Sequence, residues 1–153
     1  MQFCIMSSRA LLITSKLLLF TGILFLLSAS CKKEEQQTEI PYVYVNFSLN
    51  PNGTQYINLN VVNGWETVYG GYNGILIFRA EVNEFVAFER ACPYDPLTQG
   101  AQIVVDESGI TCTCPVCGSK FIMTDGTPYE GPSRFPLKQY QAVYDGNMLY
   151  ISN

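Results

Sequence analysis

Apolar and polar residues alternate along most of the chain after residue 40, and this period of two predicts half-buried β-strands. The alternation is clear over residues 43–49 and again over residues 57–61, where we expect two strands. Turn-forming residues then separate three predicted hairpins and one further strand: residues 75–79 with 85–89, 103–105 with 110–114, 142–144 with 148–151, and residues 120–123. No segment after residue 31 has a sustained helical period. The sequence therefore predicts an all-β fold, a small antiparallel barrel or sandwich.

The first 31 residues follow a different pattern, in which basic residues precede an apolar run and a Cys. Arg9 and Lys16 come before apolar residues 17–27, a run of signal-peptide length that is too short to span a bilayer comfortably. Residues 28–31 read Ser-Ala-Ser-Cys and resemble a bacterial lipobox, in which cleavage precedes a Cys that is then acylated. We expect residues 1–30 to be a lipoprotein signal peptide and Cys31 to carry lipid. An ordinary secretory signal or a membrane-anchoring helix is the alternative.

The segment after Cys31 predicts how the protein is held. Residues 32–39 are charged and poor in apolar side chains, so we expect residues 31–40 to form a flexible tether. The β domain then occupies residues 41–153. Acyl chains on Cys31 would anchor the protein stably to a membrane. We therefore expect a lipid-anchored protein of the bacterial cell envelope, at the periplasmic face or the cell surface.

The charge balance and the absence of one residue type narrow the function further. Seven Lys and Arg face thirteen Asp and Glu after residue 31, which gives a net charge of about −6 and disfavours a nucleic acid partner. The sequence contains no His. The usual general base and the commonest neutral metal ligand are therefore missing, and we expect no enzymatic activity.

Four Cys follow the lipidation site, and their spacing makes them candidate metal ligands. Cys112 and Cys114 are two residues apart on a predicted strand, so their side chains leave the same face. Residues 114–118 read Cys-Pro-Val-Cys-Gly, a knuckle that lets two thiolates bind one ion. Cys92 lies in a second turn that contains prolines. The candidate ligand set is Cys92, Cys112, Cys114 and Cys117.

Three segments of the chain resemble, in the right order, the segments that build the site of Rieske-type 2Fe–2S proteins. Residues 85–93, FVAFERACP, resemble the strand that enters the first cluster loop, and residues 114–121, CPVCGSKF, resemble the second loop. Residues 125–138 resemble the segment whose proline-containing loop covers the cluster. The resemblance spans residues 75–151 and implies a β domain with two Cys-bearing loops at one end. It also implies a 2Fe–2S cofactor and a redox or accessory protein as partner.

The resemblance is to a degenerate member of this family, because both His ligand positions are replaced. Cys92 and Cys114 match the two Cys ligands, whereas Tyr94 and Cys117 stand at the positions of the two His. Cys117 can bind a metal, with an added negative charge, and Cys112 is the candidate to replace Tyr94 as fourth ligand. The resemblance also implies that Ser119 donates a hydrogen bond to a cluster sulfur.

Three interpretations of these Cys follow from the sequence. They hold a 2Fe–2S cluster with Cys-only ligation in an electron carrier, or they hold Zn²⁺ as a structural site. In the third interpretation they form disulfides, which an oxidising envelope favours. The predicted function is thus a lipid-anchored iron–sulfur electron carrier or, alternatively, a cluster-free binding or accessory lipoprotein of the same fold, stabilised by disulfides or zinc.

Overall fold

The structure is a computed structural model that describes residues 38–153. The predicted signal peptide, Cys31 and most of the predicted tether lie outside the described residues. The described part contains a 3₁₀ helix at Thr54–Asn60 and ten strands: β1 Asn46–Leu49, β2 Trp65–Val68, β3 Ile75–Glu81, β4 Glu84–Glu89, β5 Val104–Val105, β6 Thr111–Thr113, β7 Lys120–Ile122, β8 Pro128–Glu130, β9 Gln139–Tyr144 and β10 Leu149–Ser152. Within residues 38–153, no helix has the length and apolar character that a membrane span requires.

The strands form two antiparallel sheets. The larger sheet has six strands in the order β1-β10-β9-β4-β3-β2, and the smaller has four in the order β5-β6-β7-β8. Strand β4 of the larger sheet leads into the loop that contains Cys92, whereas β6 and β7 of the smaller sheet flank the loop 114–118. The two Cys-bearing loops therefore come from different sheets.

The core lies on both faces of strand β3, which is why this strand has apolar residues at consecutive positions. Ile75 and Ile77 belong to one buried cluster, and Leu76 and Phe78 belong to the other. The second cluster also contains Phe121 of β7 and three of the four candidate Cys. The smaller sheet is thus packed on one face of the larger sheet, with the Cys-bearing loops at the edge of this shared core.

Most of the predicted elements are confirmed. The three predicted hairpins correspond to β3–β4, β5–β6 and β9–β10, and residues 120–123 contain β7. The all-β prediction and the antiparallel pairing are therefore right.

The predicted strand at residues 57–61 is wrong, because this segment lies largely in the 3₁₀ helix. Only Leu59 of its three apolar residues is buried, whereas Ile57 and Val61 are exposed. The chain folds back tightly here, since a Cβ at Gly64 would lie 1.8 Å from the Asn58 carbonyl oxygen. The missed strands β2 and β8 are each the last strand at one side of a sheet. Such edge strands are half exposed and have a weak apolar pattern.

Candidate metal centre

The first Cys-bearing loop follows β4 and is closed by backbone bonds beside Cys92. The Cys92 N–H donates to the Ala101 carbonyl oxygen at 2.9 Å. Ala91 and Gln102 form an isolated antiparallel bridge one residue further out. These contacts hold the two ends of the loop together, and the Cys92 side chain is fully buried.

The second Cys-bearing loop is a single tight turn between β6 and β7. The Cys114 N–H donates to the Ser119 carbonyl oxygen at 2.8 Å, and the Gly118 N–H donates to the Cys114 carbonyl oxygen at 2.9 Å. Gly118 has φ +76°, a left-handed conformation that glycine adopts without a steric penalty. The turn thereby directs Cys114 into the core and leaves Cys117 half-buried at the rim.

The two loops bring three thiols together. The Sγ atoms of Cys92, Cys114 and Cys117 all lie within 4.8 Å of one another, and those of Cys92 and Cys117 are 3.5 Å apart. The expectation that the two loops meet at one end of the domain is confirmed. Within residues 38–153, this is the one group of three or more His, Cys, Asp or Glu side chains close enough to share a metal ion.

Cys112, the fourth predicted ligand, is not part of this group. Its Sγ lies 3.8 Å from the Phe121 carbonyl oxygen of the neighbouring strand, and its side chain is fully buried in the core. Burial, followed by the negative charge of Asp106, raises the pKa of the Cys112 thiol to about 12. The thiol therefore stays protonated at neutral pH.

Tyr94 also contributes no side-chain ligand among the contacts that the structure shows. Its side chain is exposed, while its backbone N–H acts to lower the pKa of the Cys92 thiol against the effect of burial. Such an N–H group stabilises the charged form of the sulfur. The position that the resemblance assigns to the first His thus supports Cys92 through the backbone.

The pKa values of Cys92 and Cys117 are shifted in opposite directions. Burial raises the pKa of Cys92 above its ordinary value, and the neighbouring Cys114 and Cys117 add to this rise. Burial also acts to raise the pKa of Cys117, but hydrogen bonds from the Ser119 side chain and backbone, together with the two other thiols, lower it overall. Cys117 is therefore the first of these two thiols to become a thiolate, which is the form that binds metals.

Ser119 is held beside Cys117 by a residue of segment 125–138, which is called the covering segment below. Its Oγ lies 3.1 Å from the Cys117 Sγ and accepts the Ser133 N–H at 3.0 Å. In the thiol form the Cys117 S–H donates to the Ser119 Oγ, and the Ser119 hydroxyl can turn to donate to the sulfur once Cys117 is a thiolate. The resemblance implies a bond from Ser119 to a cluster sulfur, whereas the contact that the structure shows is with the Cys117 sulfur. Nothing in the sequence pattern singled out Ser133 itself.

The covering segment lies directly on the second loop. A Cβ at Gly131 would lie 2.5 Å from the Ser119 Cα, so only glycine allows this approach at φ +97°. The Ser133 side chain is buried and donates to the Phe135 carbonyl oxygen at 3.0 Å. Backbone contacts thus hold residues 131–133 over the loop.

The buried carboxylate of Glu89 supports the first Cys-bearing loop. The Glu89 side chain accepts the Tyr72 N–H at 2.7 Å, the Asn73 N–H at 2.8 Å, the Ala91 N–H at 3.1 Å and the Tyr140 hydroxyl at 2.7 Å. Burial, and then this bond to Glu89, raises the pKa of Tyr140. Glu89 therefore joins a neighbouring loop, β9 and the residue before Cys92. No local pattern in the sequence marks Glu89 as a supporting residue.

The donor set fits a single ion better than a two-iron cluster. Three corners of a tetrahedron with metal–sulfur bonds of about 2.3 Å have sulfur atoms about 3.8 Å apart. The Cys92–Cys117 separation of 3.5 Å is close to this value, and the other two separations are at most 4.8 Å. A 2Fe–2S cluster requires four ligands, two on each iron. The described residues bring only three thiols together and do not complete that set.

A cavity in the described residues lies away from the three thiols. It has a volume of about 510 Å³ and is lined by residues 67–74 with Arg90 and Gln102, and none of the three Cys lines it. The thiol group is instead a buried cluster that reaches the surface only at Cys117. This shape suits an ion rather than an organic ligand.

Several solved structures are similar to the chain. The ferredoxin of carbazole 1,9a-dioxygenase from Nocardioides aromaticivorans IC177 is 15% identical, with a TM-score of 0.43 over 60% of this chain and 86% of that one. A ferredoxin in complex with the oxygenase of carbazole 1,9a-dioxygenase is 20% identical, with a TM-score of 0.44 over 60% and 82%. The Sphingomonas yanoikuyae B1 ferredoxin is 16% identical, with a TM-score of 0.41 over 58% and 86%. No family model and no curated protein matches the chain.

Proposed function

We propose that this chain is a lipid-anchored protein of the bacterial envelope whose Rieske-like β domain binds one thiophilic metal ion through Cys92, Cys114 and Cys117. The observation that carries the proposal is the meeting of three sulfur atoms from two loops within 4.8 Å. Lipid anchoring at Cys31 is supported by the lipobox-like sequence of residues 28–31. The role we assign is that of an accessory protein rather than an enzyme.

Thiolate ligands narrow the choice of metal. Soft sulfur ligands select Zn²⁺ and Cu(I) over Mg²⁺, Ca²⁺ and Mn²⁺, which prefer oxygen. Structural zinc sites close around the ion with four protein ligands, whereas three ligands leave one position open. Because Cys117 is half-buried, the open position of a bound ion would lie near solvent. The arrangement therefore supports an exchangeable ion more than a permanent structural one.

A titration of the full chain tests this proposal. The protein is purified in detergent with its thiols reduced and is titrated anaerobically with Zn²⁺ and separately with Cu(I). We expect one ion per chain, and replacement of Cys117 by Ala should abolish tight binding. Replacement of Cys112 by Ala is the matched control and should leave the stoichiometry at one, because the Cys112 thiol contacts Phe121 instead of the group. A chain that binds no ion, or a Cys112→Ala variant that loses it, would overturn the proposal.

The iron–sulfur electron carrier is the second candidate. The observation that favours it is the meeting of two Cys-bearing loops, which is what the resemblance implies. Such a carrier would need a fourth ligand and a redox partner. Iron and acid-labile sulfide analysis of the chain as isolated from cells discriminates the two candidates, because two irons and two sulfides per chain would replace the single-ion proposal.

A further inference from the structure

We propose that Cys92 and Cys117 form a dithiol–disulfide pair that exchanges with external disulfides, with Cys117 as the attacking thiol and Cys92 as the resolving thiol. Their Sγ atoms are already 3.5 Å apart. A disulfide bond is about 2.04 Å long, so side-chain rotation has to close only about 1.5 Å. The two residues lie on different loops, so the bond would join loops that come from the two sheets.

Access to solvent determines the order of attack. Cys92 and Cys114 are fully buried, whereas Cys117 is half-buried at the rim of the turn. Among these three thiols, an external disulfide can therefore reach only Cys117. The Ser119 Oγ, 3.1 Å from the Cys117 Sγ, is placed to donate a hydrogen bond to the attacking sulfur.

The exchange proceeds in two balanced steps. The Cys117 thiolate attacks an external disulfide RSSR, which forms a mixed disulfide on Cys117 and releases one thiol RSH after proton uptake. The Cys92 sulfur then attacks the Cys117 sulfur, which forms the Cys92–Cys117 disulfide and releases the second RSH. In total, the two protein thiols lose two electrons and two protons, and RSSR gains these two electrons and two protons to become two RSH. The oxidant is thus any accessible low-molecular-weight disulfide or disulfide-bearing protein.

Cys114 remains a thiol in the oxidised form. The consequence for metal binding rests on the proposed function, because oxidation removes two of the three proposed ligands. The reduced and oxidised chains would then differ in their capacity to hold an ion. Redox state would then control release of the metal.

Peptide mapping after oxidation tests the exchange. The reduced full chain, in detergent and free of metal, is treated with oxidised glutathione, alkylated and digested. We expect wild type to lose two thiols and to give one cross-linked species that joins the peptides of Cys92 and Cys117. Replacement of Cys92 by Ser should trap one glutathione on Cys117. Replacement of Cys117 by Ser should slow thiol loss from the β domain by about tenfold or more, because Cys92, Cys112 and Cys114 are all buried.

Replacement of Cys114 by Ser is the control inside the site, and it should give the same cross-link as wild type. A Cys114–Cys117 cross-link in wild type, or oxidation of the Cys117→Ser variant at the wild-type rate, would overturn the inference. The wild-type map requires no substitution to fold. A reduced chain that binds no ion but forms the Cys92–Cys117 cross-link would overturn the metal site and leave this inference standing.

Discussion

The buried Glu89 carboxylate gives the sharpest test of how the first Cys-bearing loop is held. Glu89 is 1% exposed, and its two oxygens accept four hydrogen bonds. Replacement by Gln keeps the shape and removes the charge. The amide nitrogen of the new Gln side chain fits best at the position of the oxygen that accepts from Tyr72 and Tyr140. At that position the Tyr140 hydroxyl can rotate and accept a hydrogen bond from the amide. The Tyr72 N–H then loses its acceptor.

The size of the effect follows from these contacts. A buried donor without a partner costs about 1–3 kcal/mol, and the two bonds that remain on the neutral oxygen each lose part of the extra strength of a charged acceptor. We expect the Glu89→Gln substitution to lower the free energy of unfolding by about 3 kcal/mol. Tyr140→Phe removes one bond to the carboxylate and should cost about 1.5 kcal/mol.

Urea denaturation of the reduced chain, followed by tryptophan fluorescence from Trp65, measures both changes. The double variant should lose less free energy of unfolding than the two single variants lose together. The two changes are not independent, because the Tyr140 hydroxyl and the Glu89 carboxylate are hydrogen bonded at 2.7 Å. Full additivity, or a Glu89→Gln loss below about 1 kcal/mol, would refute the network as we describe it.

Three further predictions concern the site and the anchor. Ser119→Ala should raise the pKa of Cys117, seen as slower alkylation by iodoacetamide near neutral pH, and unchanged alkylation would contradict the role of Ser119. The pKa of the Cys112 thiol is raised from 9.0 to about 12 on folding, so the folded chain keeps this thiol protonated at pH values where the unfolded chain ionises it. The contribution of Cys112 to the free energy of unfolding is therefore fully present below pH 9 and declines above it. Between pH 8 and 10 the stability of wild type should thus fall by about 1.4 kcal/mol more than that of Cys112→Ala, and parallel curves would disprove this. Cys31→Ala should release the protein from membranes or block its processing, and a variant that stays membrane-bound at its normal mature size would refute the lipobox.

Turn chemistry explains why the hairpins could be predicted from the sequence. At the β9–β10 turn the Asp145 carboxylate accepts the Asn147 N–H at 2.9 Å and the Met148 N–H at 2.7 Å, and these bonds lower its pKa. Interactions of this kind lie within a few residues, so a local pattern reveals them. The strand prediction for residues 57–61 failed because a short run of alternating residues is equally compatible with a 3₁₀ helix that buries one Leu.

The candidate site was predictable only in part, for a geometric reason. The knuckle at Cys114 to Cys117 and the turn at Cys92 indicated where the thiols meet. Cys112 was assigned to the correct face, but two residues along a strand are about 6.7 Å. That distance places the Cys112 thiol along the β6–β7 hairpin, away from the loop at the end of the hairpin where the other three thiols meet.

The residues that support the site could not be identified from local patterns. Ser133 contacts Ser119 across 14 positions, and Tyr140 contacts Glu89 across 51. Contacts at such separations depend on the tertiary fold. A single sequence contains no periodicity that marks them.

X-ray absorption spectroscopy of the zinc-loaded full chain tests the central claim most directly. The proposed centre predicts three sulfur neighbours at about 2.3 Å from each zinc ion and one lighter neighbour that completes the tetrahedron. The Cys112→Ala chain should give the same spectrum, because its thiol lies outside the group. Four sulfur neighbours in wild type that fall to three in this variant would contradict the three-thiolate site.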